Sequence, residues 1–146
     1  MRIYLDNCCY NRPYDDQSYL MVALEAKSKI YIQELIKNKK YDLVTSYILR
    51  YECSLNPFEM RKEAIMQYIE DNTSAYVGIE RKEEIENKAK EIMETGIHFK
   101  DACHVASAIY AGCEYFISTD KRLLKYETDE IKMVTPIDFI SETESD

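Results

Sequence analysis

The chain has 146 residues, 46% apolar and 32% charged, with only 3 Gly and 3 Pro. This predicts one self-sufficient globular domain and excludes collagen-like and low-complexity chains. With 27 acidic against 19 basic residues the formal net charge is −8, so no broad basic surface can wrap nucleic acid by charge alone. No apolar run approaches the ~20 residues of a membrane helix, and Asp6 comes too early for a signal peptide, which together predict a cytoplasmic protein.

Ile3-Tyr4-Leu5 reads as a short buried strand that delivers Asp6 and Asn7 at its C-terminal end. Arg12-Pro13 and Asp15-Asp16 make a turn, and an Asp there can cap the helix predicted from Gln17 to Asn38. Leu43-Val44-Thr45 is a second strand, followed by a short helix over 47–52 that carries Glu52. Asn56-Pro57-Phe58-Glu59 has the pattern of a helix start with Asn at the cap, and that helix runs to Asp71. Ala75-Tyr76-Val77 is a weak third strand. A charged helix follows from Arg81 to Thr95, stopped by Gly96, and an Ala-rich one from Lys100 to Ala111, stopped by Gly112. Residues 115–118 form a fourth strand leading to Asp120, and 131–134 a fifth. Pro136 to Ile140 is a terminal helix, and 141–146 an acidic, frayed tail. Strands alternate with helices from end to end. The expected architecture is one α/β domain over residues 1–140, a three-layer arrangement with a parallel sheet of about five strands between helices.

The five cysteines are odd in number and show no C-x-x-C spacing, so neither a disulfide framework nor a zinc ribbon is expected. Cys103-His104 lacks the two further soft ligands that zinc requires.

Strand ends in a parallel sheet point to one edge, where such folds bind ligands. Asp6 and Asp120 follow strands directly. Glu52 lies on the helix after the second strand, and Asp101 opens the helix before the fourth. Acids are abundant here and strand ends often carry Asp as a cap, so placement alone leaves convergence open. If the four meet, they cannot all stay ionised unaided. Oxygen-only ligands select Mg²⁺ or Mn²⁺ over zinc, and such a site suits hydrolysis of a phosphodiester. The absence of G-x-x-x-x-G-K-[ST], G-x-S-x-G and H-E-x-x-H removes nucleotide-loop, serine-hydrolase and zincin readings.

Four segments, in order, resemble PIN domains: Ile3-Tyr4-Leu5-Asp6-Asn7, the stretch Ser46–Glu52, Asp101-Ala102-Cys103-His104-Val105-Ala106-Ser107-Ala108, and Ser118-Thr119-Asp120. The resemblance spans essentially the whole chain. It implies a PIN-like nuclease fold and Mg²⁺- or Mn²⁺-dependent cleavage of RNA. Short stand-alone members resemble VapC-type toxins, which implies an antitoxin partner; the apolar-rich helix Gln17–Asn38 or the helix from Pro57 to Asp71 offers a groove for a partner helix or a second copy, and a homodimer is expected. Carried over by motif position, Asp6, Glu52, Asp101 and Asp120 are the expected catalytic and metal-binding carboxylates, supported by Asn7, Ser118 and His104. Two positions depart from the pattern. Cys8 stands where many members have Ser or Asn, so either Asn7 orients Asp6 or nothing does. Leu123 stands where some have another acid.

His104, three residues after Asp101, either orients an acid or simply packs. Arg12, Lys121 and Arg122 are candidate RNA contacts, or solvated charges. The 13 tyrosines offer base-stacking surface or half-buried packing. A non-cleaving PIN-like module that binds RNA or protein is the alternative function. A phosphoacceptor receiver domain is disfavoured, because the third strand ends in Gly78-Ile79 rather than an acid.

Overall fold

The run read as the first strand forms the middle of the molecule. In the computed structural model, which describes residues 1–144, β1 (Arg2–Leu5) is the central strand of five. Ile3, Tyr4 and Leu5 are fully buried, as expected of a strand covered on both faces. All pairings are parallel, in the order β3-β2-β1-β4-β5, with β2 at Asp42–Ser46, β3 at Thr73–Val77, β4 at Tyr115–Ile117 and β5 at Lys132–Val134. Tyr4 sits in register with Val44 on one side and Phe116 on the other.

The helices are α1 (Asn7–Asn11), α2 (Leu20–Lys37), α3 (Tyr47–Ser54), α4 (Glu59–Asn72), α5 (Lys82–Met93), α6 (Phe99–Tyr110) and α7 (Pro136–Thr143). One helical layer packs α2 against α7, the other α5 against α6, with the sheet between them. This is the expected three-layer α/β arrangement. Tyr4 and Phe116, stacked at 5.3 Å, face α6, whereas Tyr115 meets Phe139 of α7 on the opposite face. The chain builds β1, β2 and β3 outward on one side, then returns to place β4 on the other side of β1. The strand order therefore switches between β1 and β4, the place where such sheets bind ligands.

Several boundaries differ from expectation for local reasons. The five-residue α1 is absent from the sequence reading; Asp6 caps it by accepting a hydrogen bond from the Asn7 amide at 2.8 Å. Asp16 accepts from the Ser18 amide in a turn instead of capping α2, which begins at Leu20. Asn56 likewise accepts from the Phe58 amide at 3.0 Å, so Asn-Pro forms an Asx turn and α4 starts at Glu59. The terminal helix continues past Ile140 to Thr143, so 141–143 are helical and not frayed. Glu142 and Glu144 accept hydrogen bonds from Tyr115 and Lys40. Residues 145–146 of the expected tail lie outside the described residues. Gly96 and Gly112 do follow α5 and α6 in left-handed backbone, φ 99° and 74°, where a side chain would be strained.

Candidate metal centre

Asp6 leaves the C-terminal end of β1 with its amide still bonded to the Ile117 carbonyl of β4. Asp6 is 6% exposed, and its carboxylate is held from both sides. Oδ1 accepts from the Asn7 amide at 2.8 Å, and Oδ2 from the Ser118 hydroxyl at 2.8 Å. Ser118 also accepts from the Asp120 amide at 3.0 Å, so one hydroxyl ties together the ends of β1 and β4. The Cys8 thiol adds a weak donor at 3.5 Å to Asp6 Oδ2. Asp6 is thus oriented by Asn7 and Ser118, with Cys8 supplying a weak version of what a hydroxyl would supply.

Glu52 comes from α3, whose first turn is capped by Ser46 through the Leu49 amide at 3.1 Å. Glu52 Oε2 accepts from Asn7 Nδ2 at 3.1 Å and lies 3.7 Å from Lys100 Nζ. Oε1 is bonded to His104 Nε2. The imidazole is fully buried, and its Nδ1 lies 2.6 Å from the Tyr4 hydroxyl, itself 2.7 Å from Ser46 Oγ. Burial holds the Tyr4 phenol well above its usual pKa, with the Asp6 and Glu52 charges adding to the effect, so it stays protonated. The protonation pattern that satisfies every member has Ser46 donating to Tyr4, Tyr4 to Nδ1, and Nε2–H to Glu52. Burial raises Glu52, but its contacts with His104, Lys100 and Asn7 outweigh this and hold the carboxyl below its usual range.

Asp101, in the first turn of α6, is the opposite case. No donor among the described residues reaches its carboxylate. Burial, then the charges of Asp6, Asp120 and Glu52, push its pKa up, partly offset by His104. Asp120 accepts from the Arg122 amide at 3.0 Å and caps the turn that follows β4. All four acids line one open cleft of about 500 Å³ with Asn7, Cys8 and Lys100. The tightest group is Asp6, Glu52 and His104, each with a ligand atom within 4.8 Å of the others; Asp101 and Asp120 stand wider. Since His104 Nε2 is bonded to Glu52, the ring positions that carboxylate, and the oxygens of the acids are the ligands that fit a hard cation. The undonated, mutually repelling Asp101 is the observation that favours one.

Other expected residues fall differently. Both ends of the Arg12 guanidinium are committed, to Asp15 at 3.0 Å and to the buried Glu25 at 3.1 Å. Arg12 braces the loop before α2 and is not free for RNA. Arg122 is exposed beside the acids, in a pocket with Asp101, Asp120 and Lys125. Lys121 is exposed. Lys100 and Tyr4 belong to the site and were not singled out from sequence. Lys100 is adjacent to Asp101, which is a weak signal. Tyr4 reads as core, because its polar partners lie 42 and 100 residues away.

No protein-family model matches the chain, and no curated protein matches it in sequence. Solved structures do match in shape. VapBC2 from Rickettsia felis, bound to a DNA fragment from its promoter, superposes at a TM-score of 0.58 and 12% identity, over 91% of this chain and 97% of that one. FitAcB from Neisseria gonorrhoeae gives 0.56 and 14%, over 92% and 98%. FitAB bound to an IR36 DNA fragment gives 0.59 and 15%, over 92% and 94%. At such identities the likeness is one of fold, and it extends over nearly the whole chain. The resemblance drawn from four short motifs therefore holds at the level of architecture: the chain has the PIN-like fold of these proteins.

Proposed function

We propose that this protein is a PIN-type endoribonuclease dependent on Mg²⁺ or Mn²⁺, and the toxin of a toxin–antitoxin pair. The observation that carries the reading is the gathering of Asp6, Glu52, Asp101 and Asp120 in one cleft at the sheet's switch point. Asp6 is fixed by two hydrogen bonds while Asp101 is left with repulsion alone. Holding such a cluster together costs stability in the free protein, which a purely structural role does not explain.

Asp6, Glu52, Asp101 and Asp120 would hold the metal, which when bound supplies a polarised water and neutralises charge developing on the scissile phosphate. Ser118 and Asn7 fix Asp6, and the Ser46–Tyr4–His104 chain fixes Glu52. Lys100 Nζ, beside Glu52 and exposed at its tip, offers a positive charge to an entering phosphate. Among the described residues no helix is long and apolar enough to cross a membrane, in keeping with a cytoplasmic enzyme acting on cellular RNA. The fold neighbours VapBC2 and FitAB are bound to DNA fragments, and likeness to such toxin–antitoxin complexes supports an antitoxin for this chain too. Exposed Leu20, Leu24 and Tyr31 form a stripe on α2 available to that partner or to a second copy.

The test is incubation of purified protein with mixed RNA in Mg²⁺, in Mn²⁺ and in chelator, with Asp101→Asn alongside. Cleavage confined to the metal-containing wild type, and growth arrest on expression that Asp101→Asn relieves at equal abundance, are the expected results. RNA left intact in all conditions would leave the non-cleaving module as the better reading.

A further inference from the structure

The acidic cleft is not isolated. On one side it shares Asn7, Asn11, Glu52 and Lys100 with a depression floored by Asn56, Phe58 and Arg61. On the other it shares Asp101 and Asp120 with a pocket lined by His98, Arg122 and Lys125, which continues toward Tyr126. The result is one groove with acids in the middle and cations at both ends. Arg61, Arg122 and Lys125 each have no carboxylate within 4.0 Å among the described residues. On a chain of net charge −8, unpaired cations at both ends of an acidic centre concentrate positive potential along the groove, beyond the acids.

The two ends differ in chemistry. At the α4 end the Arg61 guanidinium lies 4.2 Å from the Phe58 ring and 4.8 Å from the Tyr14 ring, so two aromatic planes hold it as a third flat surface. Phe58 is 57% exposed, a large apolar plane facing water with no core role. At the β4 end the exposed ring beside the acids is the small imidazole of His98, and the pocket's character is set by Arg122 and Lys125 on the turn after Asp120. A flat aromatic and guanidinium platform takes an unstacked base, and paired mobile cations take backbone phosphates. A duplex cannot offer a base to such a platform without unstacking it. A basic peptide would be drawn to the acids but repelled at both ends.

We infer that the groove binds a single strand of RNA in a fixed sense, with an unpaired base stacked on Phe58 and Arg61 on one side of the acids and phosphates on Arg122 and Lys125 on the other. The inference rests on the nuclease reading above and gives it a direction. Base preference is set at the Phe58 side of the cut, and affinity for any sequence at the Arg122 side.

The experiment is fluorescence anisotropy with the wild-type protein in chelator, using an unstructured 12-nucleotide RNA, the same RNA in a duplex, and a basic peptide. Phe58→Leu and the pair Arg122→Gln with Lys125→Gln change exposed side chains. Their melting temperatures should match the wild type, so a loss of binding is not a loss of fold. The single strand should bind best. Phe58→Leu should weaken it by about tenfold with an unchanged salt dependence, the effect of losing one stacked base. The double variant should weaken it and lower the slope of log K against log salt by about 1.4, since each phosphate contact on a single strand contributes about 0.7. Equal binding of duplex and single strand, tighter binding of the peptide, or wild-type affinity in both variants would overturn the groove. Metal-dependent cleavage by the wild type with both variants cutting equally well would also overturn it, while leaving the nuclease standing. These binding signatures without any cleavage would uphold the groove and remove the nuclease.

Discussion

The Tyr4 hydroxyl and His104 Nδ1 meet 2.6 Å apart in the closed core, joining a residue of the first strand to one a hundred positions later. Through His104 Nε2 this contact reaches Glu52, and through Ser46 it reaches the first turn of α3, which carries Glu52. The acid is thus held from its tip and from the base of its helix by one buried polar chain. In such a chain each member satisfies the next, and removing one leaves two others without partners.

Tyr4→Phe tests that chain. The ring keeps its stacking on Phe116, so the loss is confined to the hydroxyl. Leaving His104 Nδ1 without a donor and the Ser46 hydroxyl proton without an acceptor should cost about 1–3 kcal/mol, although Ser46 Oγ still accepts from the Leu49 amide. Urea unfolding should show a lower midpoint at unchanged slope. RNA cleavage should fall with it, because Glu52 loses the partner that fixes His104. An unchanged midpoint would mean that the chain does not act as a unit.

Asp101→Asn should stabilise the protein without metal. The raised folded pKa of Asp101 makes the native state bind more protons than the unfolded chain between the ordinary value of 3.8 and the raised one, so wild-type stability falls as pH rises through that window. The penalty is complete above it. The variant should therefore melt at a higher temperature near pH 8 and lose that advantage as pH falls toward 3.8. Thermal melts of both proteins across pH, in chelator, measure the difference.

Divalent metal should reverse the order of the two. A cation bound only by the folded state stabilises it by about 2.7 kcal/mol at a hundredfold excess over its Kd. Millimolar Mg²⁺ or Mn²⁺ should raise the wild-type melting temperature and move Asp101→Asn little. Calorimetry in both metals would read this directly, and identical responses would remove Asp101 from the ligand set.

Lys29 offers a fourth test, away from the cleft. It is 4% exposed, has no carboxylate within reach among the described residues, and lies 5.4 Å from the Tyr10 ring. Burial lowers its pKa from 10.5 to about 8. Below that value the fold must hold a desolvated ammonium, so the wild type gains stability as pH climbs from about 8 to 10.5. Lys29→Met removes the charge and should stabilise the protein by up to about 3 kcal/mol near neutral pH, shrinking toward pH 10.5. Chemical denaturation at two pH values would check both sign and trend.

The strand runs and the two stopping glycines carried the fold in plain view. A parallel sheet buried on both faces needs continuous apolar runs, and Ile3–Leu5 and Tyr115–Ile117 are such runs. Asp6 and Asp120 were legible because strand ends are fixed places. The helix α1 was not, since Asn-Cys-Cys-Tyr-Asn has poor helix propensity and forms only with the Asp6 cap and the burial of Cys9 and Tyr10. The role of Arg12 was hidden for a related reason. Its charge looks free until α2 folds back to bring Glu25 against it. The orientation of Glu52 by Tyr4 has no local trace at all, because both partners look like core.

The central strand is also the first to be made. β1 can pair with β2 after some forty residues, as Tyr4 meets Val44, but its other edge waits for Phe116. Until then Asp6 lacks the Ser118 hydroxyl, and the cleft lacks Asp101 and Asp120. Half of the acids and one of the clamps on the other half therefore arrive only when residues 101–120 have left the ribosome. On the proposed function, a growing chain has no complete metal site until residues 101–120 have been made and packed against β1. Such a long-range closure is slow to form, so the acidic cleft is among the last features the fold completes.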